Sequence, residues 1–96
     1  DTVPFLPQVL ELAAQGFITG ASGRNWAGFQ QDIQLAPAIT AVQQALLCDP
    51  QTSGGLLVAC DPSAVEAVLE NFRKHGFEHA AVVGEMHEGV AGVEVA

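Results

Sequence analysis

Basic residues are nearly missing from this chain of 96 residues. Arg24, Arg73 and Lys74 stand against eleven Asp and Glu, for a formal charge of −8. Nucleic acids bind mainly through Lys and Arg, so neither DNA nor RNA is an expected partner. Nucleotide phosphates would need backbone N–H groups or a metal ion. Long apolar runs are also missing: none reaches the roughly 20 residues that span a bilayer, so no membrane partner is expected. No charged-then-apolar segment opens the chain, which gives no reading of a secretory signal. The first residue is Asp1 and the only methionine is Met86, so an excised piece of a longer protein, or a processed product, is expected. Cysteine is scarce. Cys48 and Cys60 fit no metal knuckle or redox pair at their spacing, and they read as two reduced, partly buried thiols in a cytoplasmic protein.

What the chain does have is apolar residues, at 49%. That content argues against disorder. The length allows one domain or less, with a modest core and marginal stability.

Residues 1–3 read as the end of an extended segment, because Pro4 disfavours helix at Val3. A helix is expected from Leu6 or Pro7, with Phe5, Val9, Leu12 and Ala13 on one face and Gly16 as its C-terminal stop. Residues 17–32 carry Gly20, Gly23 and Gly28 without a sustained period. They read as a long loop with one helical turn near Trp26, and long ordered loops tend to be functional. A second helix is expected over 36–47, with Ile39, Val42 and Leu46 on one face and Pro37 at its start. Residues 56–60 (LLVAC) read as a short buried strand. Asp61-Pro62 then opens a helix whose stripe is Val65, Val68, Leu69 and Phe72. Glu70 and Lys74 are spaced to pair, and Gly76 ends the helix. Residues 80–86 and 92–96 read as two further strands joined by a turn. The expected fold class is α+β: helices packed on a mainly antiparallel sheet, ending in β-α-β-β.

The most informative segment is Asp49-Pro50-Gln51-Thr52-Ser53-Gly54-Gly55-Leu56-Leu57. Asp49 is placed to accept N–H bonds from the turn that follows. Thr52 and Ser53 bring hydroxyls. Gly54 and Gly55 permit positive φ and leave no side chain over the backbone. Successive N–H groups in such a turn form an anion-binding concavity. A tight helix-to-strand connection without a ligand fits the same residues. No GK[ST] follows, so this is not a Walker loop.

These nine residues closely resemble the signature of the selenophosphate synthetase (selenide, water dikinase) C-terminal domain. Three other segments match that family in order and spacing. Val3-Pro4 to Gly16 resembles its first helix. Gly20, Ser22 and Arg24-Asn25 resemble its glycine-rich loop, with Ala21 where a second glycine is usual. Gly84-Glu85 resembles the Gly-Glu near its end.

The resemblance implies a partial C-terminal domain over 1–96, within the superfamily of aminoimidazole ribonucleotide synthetase. It implies a parent that makes selenophosphate, AMP and phosphate from selenide, ATP and water, with magnesium. That parent is expected to be a homodimer in the cytoplasm. The family's catalytic Cys or selenocysteine, its lysine and its acidic metal motif match nothing in these residues. No catalytic residue, no metal ligand and no cofactor of the isolated chain are therefore assigned, and the isolated chain is expected to be inactive. The expected phosphate or substrate cleft is lined by Thr52, Ser53, Gly54, Gly55, Ser22 and Asn25.

Two alternatives stand beside this. The chain belongs to another ATP-using member of the superfamily, such as a thiamine-monophosphate kinase or a hydrogenase maturation factor, or it is a non-catalytic folding or interaction module. His75, His79 and His87 do not share a helix or strand face, and they read as surface histidines.

Overall fold

A computed structural model describes residues 3–96. The expectation for residues 1 and 2 lies outside the described residues. The element order is α1 (Val9–Ala14), α2 (Gly20–Phe29), β1 (Ile33–Leu35), α3 (Ala41–Leu47), α4 (Val65–Lys74) and β2 (Val93–Val95), with 3-10 turns at Gln30–Asp32 and Pro62–Ala64. Two compact units divide the chain: residues 3–4 with Leu56–Glu88, and Phe5–Gly55 with Gly89–Ala96.

In the unit of Phe5–Gly55 and Gly89–Ala96, α3 packs against both α1 and α2. Ala13 on α1 is buried, whereas Leu12 is exposed, so the apolar face of α1 is narrower than its spacing suggests. Helix α1 stops where expected. Gly16 takes φ 96°, and Phe17 N–H and Gly16 N–H donate to the carbonyls of Leu12 and Ala13 at 3.1 and 3.0 Å. That pair of bonds satisfies two of the helix's end carbonyls. Helix α3 starts later than Pro37 suggests. Residues 36–39 form a turn, closed by Ile39 N–H on the Ala36 carbonyl at 3.0 Å. Thr40 then caps the helix: its hydroxyl accepts from Gln43 N–H, and the Gln43 side chain accepts from Thr40 N–H. This reciprocal box sets the start more firmly than the proline does.

The glycine-rich loop expected over 17–32 is a helix for most of its length. Gly costs about 1 kcal/mol per helical position relative to Ala, and three glycines hide the helical signal. Here Thr19 caps α2 by accepting from Ser22 N–H at 3.3 Å, and packing on α3 supplies what propensity withholds.

The sheet also differs from expectation. Among the described residues it has two strands, β1 and β2, and they pair in parallel, with Ile33 opposite Val93 and Leu35 opposite Val95. The expected antiparallel arrangement is thus overturned for the pair that forms. Parallel neighbours require a long connection, and here the partner of the last strand lies far upstream. The α+β class itself holds in this reduced form.

In the other unit, α4 forms as read. Asp61 caps the turn at Pro62–Ala64 by accepting from Ser63 N–H at 2.8 Å. Val65, Val68, Leu69 and Phe72 are half-buried while the remaining α4 residues are exposed. Gly76 at φ 87° ends it. Phe77 N–H donates to the Phe72 carbonyl at 3.0 Å, and the two rings meet edge to face at 6.2 Å. Glu70 and Lys74 do not come within salt-bridge range. Among the described residues the one such contact is His87 Nε2 to Glu85 Oε2 at 3.9 Å.

The strands expected over 56–60 and 80–86 do not form. Leu56 and Leu57 are 81% and 86% exposed, so the run read as buried is open to solvent. A short apolar run becomes a strand only when a neighbour accepts its ladder bonds. Cys60 is exposed rather than partly buried, whereas Cys48 is half-buried, and both are free thiols. No helix among the described residues is long and apolar enough to cross a membrane.

Candidate functional site

The segment 49–55 leaves the C-terminal end of α3. Cys48 is the C-cap of that helix. End carbonyls of a helix have no partner within it, and the Cys48 carbonyl finds one in α2: Asn25 Nδ2 donates to it at 2.9 Å. One residue on, Asp49 Oδ1 lies 3.5 Å from the Thr19 hydroxyl. The other oxygen, Asp49 Oδ2, accepts from Gln51 Nε2 at 2.6 Å. Asp49 was expected to accept backbone N–H groups of the turn; it takes the Gln51 side-chain amide instead. Gln51 in turn closes the turn, because its carbonyl accepts from Gly54 N–H at 3.1 Å.

Gly54 is required for space. A Cβ there would lie 2.8 Å from Gln51 Cβ and 3.1 Å from the Gln51 carbonyl oxygen. Positive φ, the other use expected of Gly54 and Gly55, is not used at either position. Thr52, Ser53, Gly54 and Gly55 are all exposed. Among the described residues no acceptor is found for the N–H groups of Thr52, Ser53 or Gly55. The turn therefore leaves these three donors without a protein acceptor.

The two residues expected from the glycine-rich segment are placed differently from each other. Asn25 reaches the Cys48 carbonyl, one residue before the signature segment. Ser22 is buried at 2% exposure, and its hydroxyl lies 3.1 Å from the Thr19 hydroxyl. With Asp49 as an acceptor only, the order Ser22 O–H to Thr19 to Asp49 satisfies all three groups. Sequence reasoning missed Thr19 and Gln51. An Asp-x-Gln pair after a helix, with a capping threonine upstream, carries too little specificity to pick them out alone.

A concave surface of about 340 Å³ adjoins this cluster, lined by Asn25, Phe29, Ile33, Leu47, Cys48 and Asp49. Burial pushes the Cys48 thiol above its ordinary pKa, which disfavours the nucleophilic thiolate. No group of three His, Cys, Asp or Glu that could hold a metal ion occurs among the described residues. Phosphate charge at the turn would have to be met by N–H groups and hydroxyls, with Asp49 opposing it.

The profile of the family described as "AIR synthase related protein, C-terminal domain" matches residues 9–95. The selenide, water dikinase of Burkholderia pseudomallei (strain K96243) is 58% identical over 93 residues, covering 97% of this chain and 26% of that protein. The protein of the same name from Dechloromonas aromatica (strain RCB) is 50% identical over 93 residues, covering 97% of this chain and 27% of that protein. Its namesake in Rhizobium meliloti (strain 1021) is 50% identical over 95 residues, covering 99% and 27%. The chain thus spans about a quarter of the length of these relatives. No solved structure matches. The likeness to selenophosphate synthetases read from residues 49–57 extends over nearly the whole chain, and the chain belongs to the AIR synthase related protein family, C-terminal domain.

Proposed function

We propose that this chain is part of the C-terminal domain of a selenide, water dikinase, and that its Thr52–Gly55 turn forms one wall of the cleft that meets anionic groups. The parent would convert selenide, ATP and water to selenophosphate, AMP and phosphate, as a cytoplasmic homodimer. Magnesium would be bound in the parent, whose family's acidic metal motif has no match in this sequence. The observation that carries the reading is the exposed turn with free N–H groups, held at its root by α2. Ser22 and Asn25 belong to the same site, standing behind the turn. The names of the relatives favour a dikinase over a thiamine-monophosphate kinase or a hydrogenase maturation factor.

The chain alone is inactive in this reading. Phosphoryl transfer needs positioned cations around the moving group, and three basic residues do not provide them. Titration calorimetry of the isolated chain with Mg-ATP should show no binding; micromolar affinity would overturn that point. In the full-length protein, Gly54→Val should lower turnover while circular dichroism stays unchanged. Normal turnover in that variant removes the site.

A second reading has one observation in its favour. Leu56, Leu57 and Met86, all in the unit that contains Leu56–Glu88, are each largely exposed, and large exposed apolar patches mark interaction surfaces. The isolated chain would then act as a non-catalytic interaction module.

A further inference from the structure

We propose that Asn25 is a positioning residue for the Thr52–Gly55 turn: its side-chain amide, mounted on α2, holds the Cys48 carbonyl and so sets the direction in which the chain leaves α3. The functional weight of this inference rests on the reading of the turn as an anion site; the structural claim does not.

Three observations lead to it. The Asn25 Nδ2 to Cys48 carbonyl bond, at 2.9 Å and partly buried, joins two segments 23 residues apart. It caps a helix-end carbonyl that would otherwise be met only by solvent. A second contact from α2's cap, Thr19 to Asp49 Oδ1 at 3.5 Å, falls on the very next residue. From there the hold is passed on in short steps. Asp49 Oδ2 takes the Gln51 amide at 2.6 Å, and the Gln51 carbonyl takes Gly54 N–H at 3.1 Å. Residues 50–55 themselves are exposed throughout, so side-chain burial does not fix the turn. Its orientation comes from the root at 48–49, and Asn25 makes the shortest bond to that root from α2. An Asn25 side chain engaged in this way acts on a ligand through the backbone it holds.

Hydrogen exchange on the full-length protein carrying these residues tests the structural claim. Asn25→Ala should raise exchange at the Asp49 and Gly54 amides, the two in this stretch that donate to protein carbonyls, by roughly two- to tenfold, the range expected for one lost hydrogen bond, and leave α4 unchanged. Unchanged exchange at the Asp49 and Gly54 amides overturns the proposal. A rise that includes α4 also overturns it, since that marks general destabilisation. Should Asn25→Ala fail to fold, Asn25→Asp keeps the shape and replaces the donor with an acceptor facing the carbonyl, and the same two outcomes decide.

A double-mutant cycle in selenophosphate formation tests the coupling. If Asn25 acts through the turn, Asn25→Ala added to Gly54→Ala should change kcat/KM by less than about twofold, because the turn is already displaced. Losses that multiply overturn the positioning role. A wild-type protein without selenophosphate-forming activity defeats the proposed function only, and the exchange measurement still decides on Asn25.

Discussion

The two cysteines differ in a way that a single reagent would reveal. Cys60 is exposed, while Cys48 is half-buried with its pKa raised by burial. Alkylation proceeds through the thiolate. Iodoacetamide at mildly alkaline pH should therefore modify Cys60 well before Cys48, with peptide mass spectrometry as the readout; equal rates would contradict the burial of Cys48. Asp61 carries the opposite shift. The Ser63 hydroxyl, and then the Ser63 N–H, hold its carboxyl below the ordinary carboxylate range. A pKa lowered by folding means that the ionised form stabilises the fold above the unfolded value, near 4. That contribution is lost as pH falls through the lowered value. Acid titration followed by circular dichroism should show a smaller acid-induced loss for Asp61→Asn than for the parent chain, and identical curves would refute the cap's charge dependence.

Helix ends are where sequence and structure agree best. Gly16 and Gly76 both take positive φ and both end their helices as expected, because a C-terminal stop needs one residue of one type at one place. Asp61 and the α4 stripe were legible for the same reason. Helix α2 was not. Its signal is a cap from Thr19 and packing on α3, and neither shows as a period among three glycines. The two unformed strands were misread in the other direction. Residues 56–60 and 80–86 have strand composition, but composition does not supply a neighbouring strand. At the candidate site, the turn itself was legible from its small residues, whereas the root through Thr19, Asn25 and Gln51 depends on contacts across the fold. The capping box on α3 gives a direct test of an element end: Thr40→Ala should lower stability by about 1 kcal/mol, and Thr40→Ser should lower it much less. Urea unfolding of the full chain measures both, and a neutral Thr40→Ala would show that the box adds nothing to the packing of α3.

On the scale of the whole chain, burial is thin. Ala13 is the only apolar residue classed as buried among the described residues, although nearly half of the sequence is apolar. Leu56, Leu57, Val82, Val83, Met86 and Val90 all remain exposed. A domain this small gains little from its core, so a sharp, two-state melting transition is not expected from the chain alone. Calorimetry should show a broad transition, and a hydrophobic dye should bind before heating. A narrow transition with matching calorimetric and van't Hoff enthalpies would contradict this. The net charge of −8 opposes self-association of the exposed residues, so raising the salt concentration should increase it, as screening removes the repulsion; sedimentation velocity at two ionic strengths would detect the change.

The parallel ladder between Ile33–Leu35 and Val93–Val95 brings together residues roughly sixty positions apart. Closing a loop of that size carries an entropic cost that local helices do not face. Assembly should then have a fixed order in time, with α1, α2 and α3 associating early and the two strands zipping last. A newly synthesised chain would have to wait until Val93–Val95 were made before Ile33 had a strand to bond.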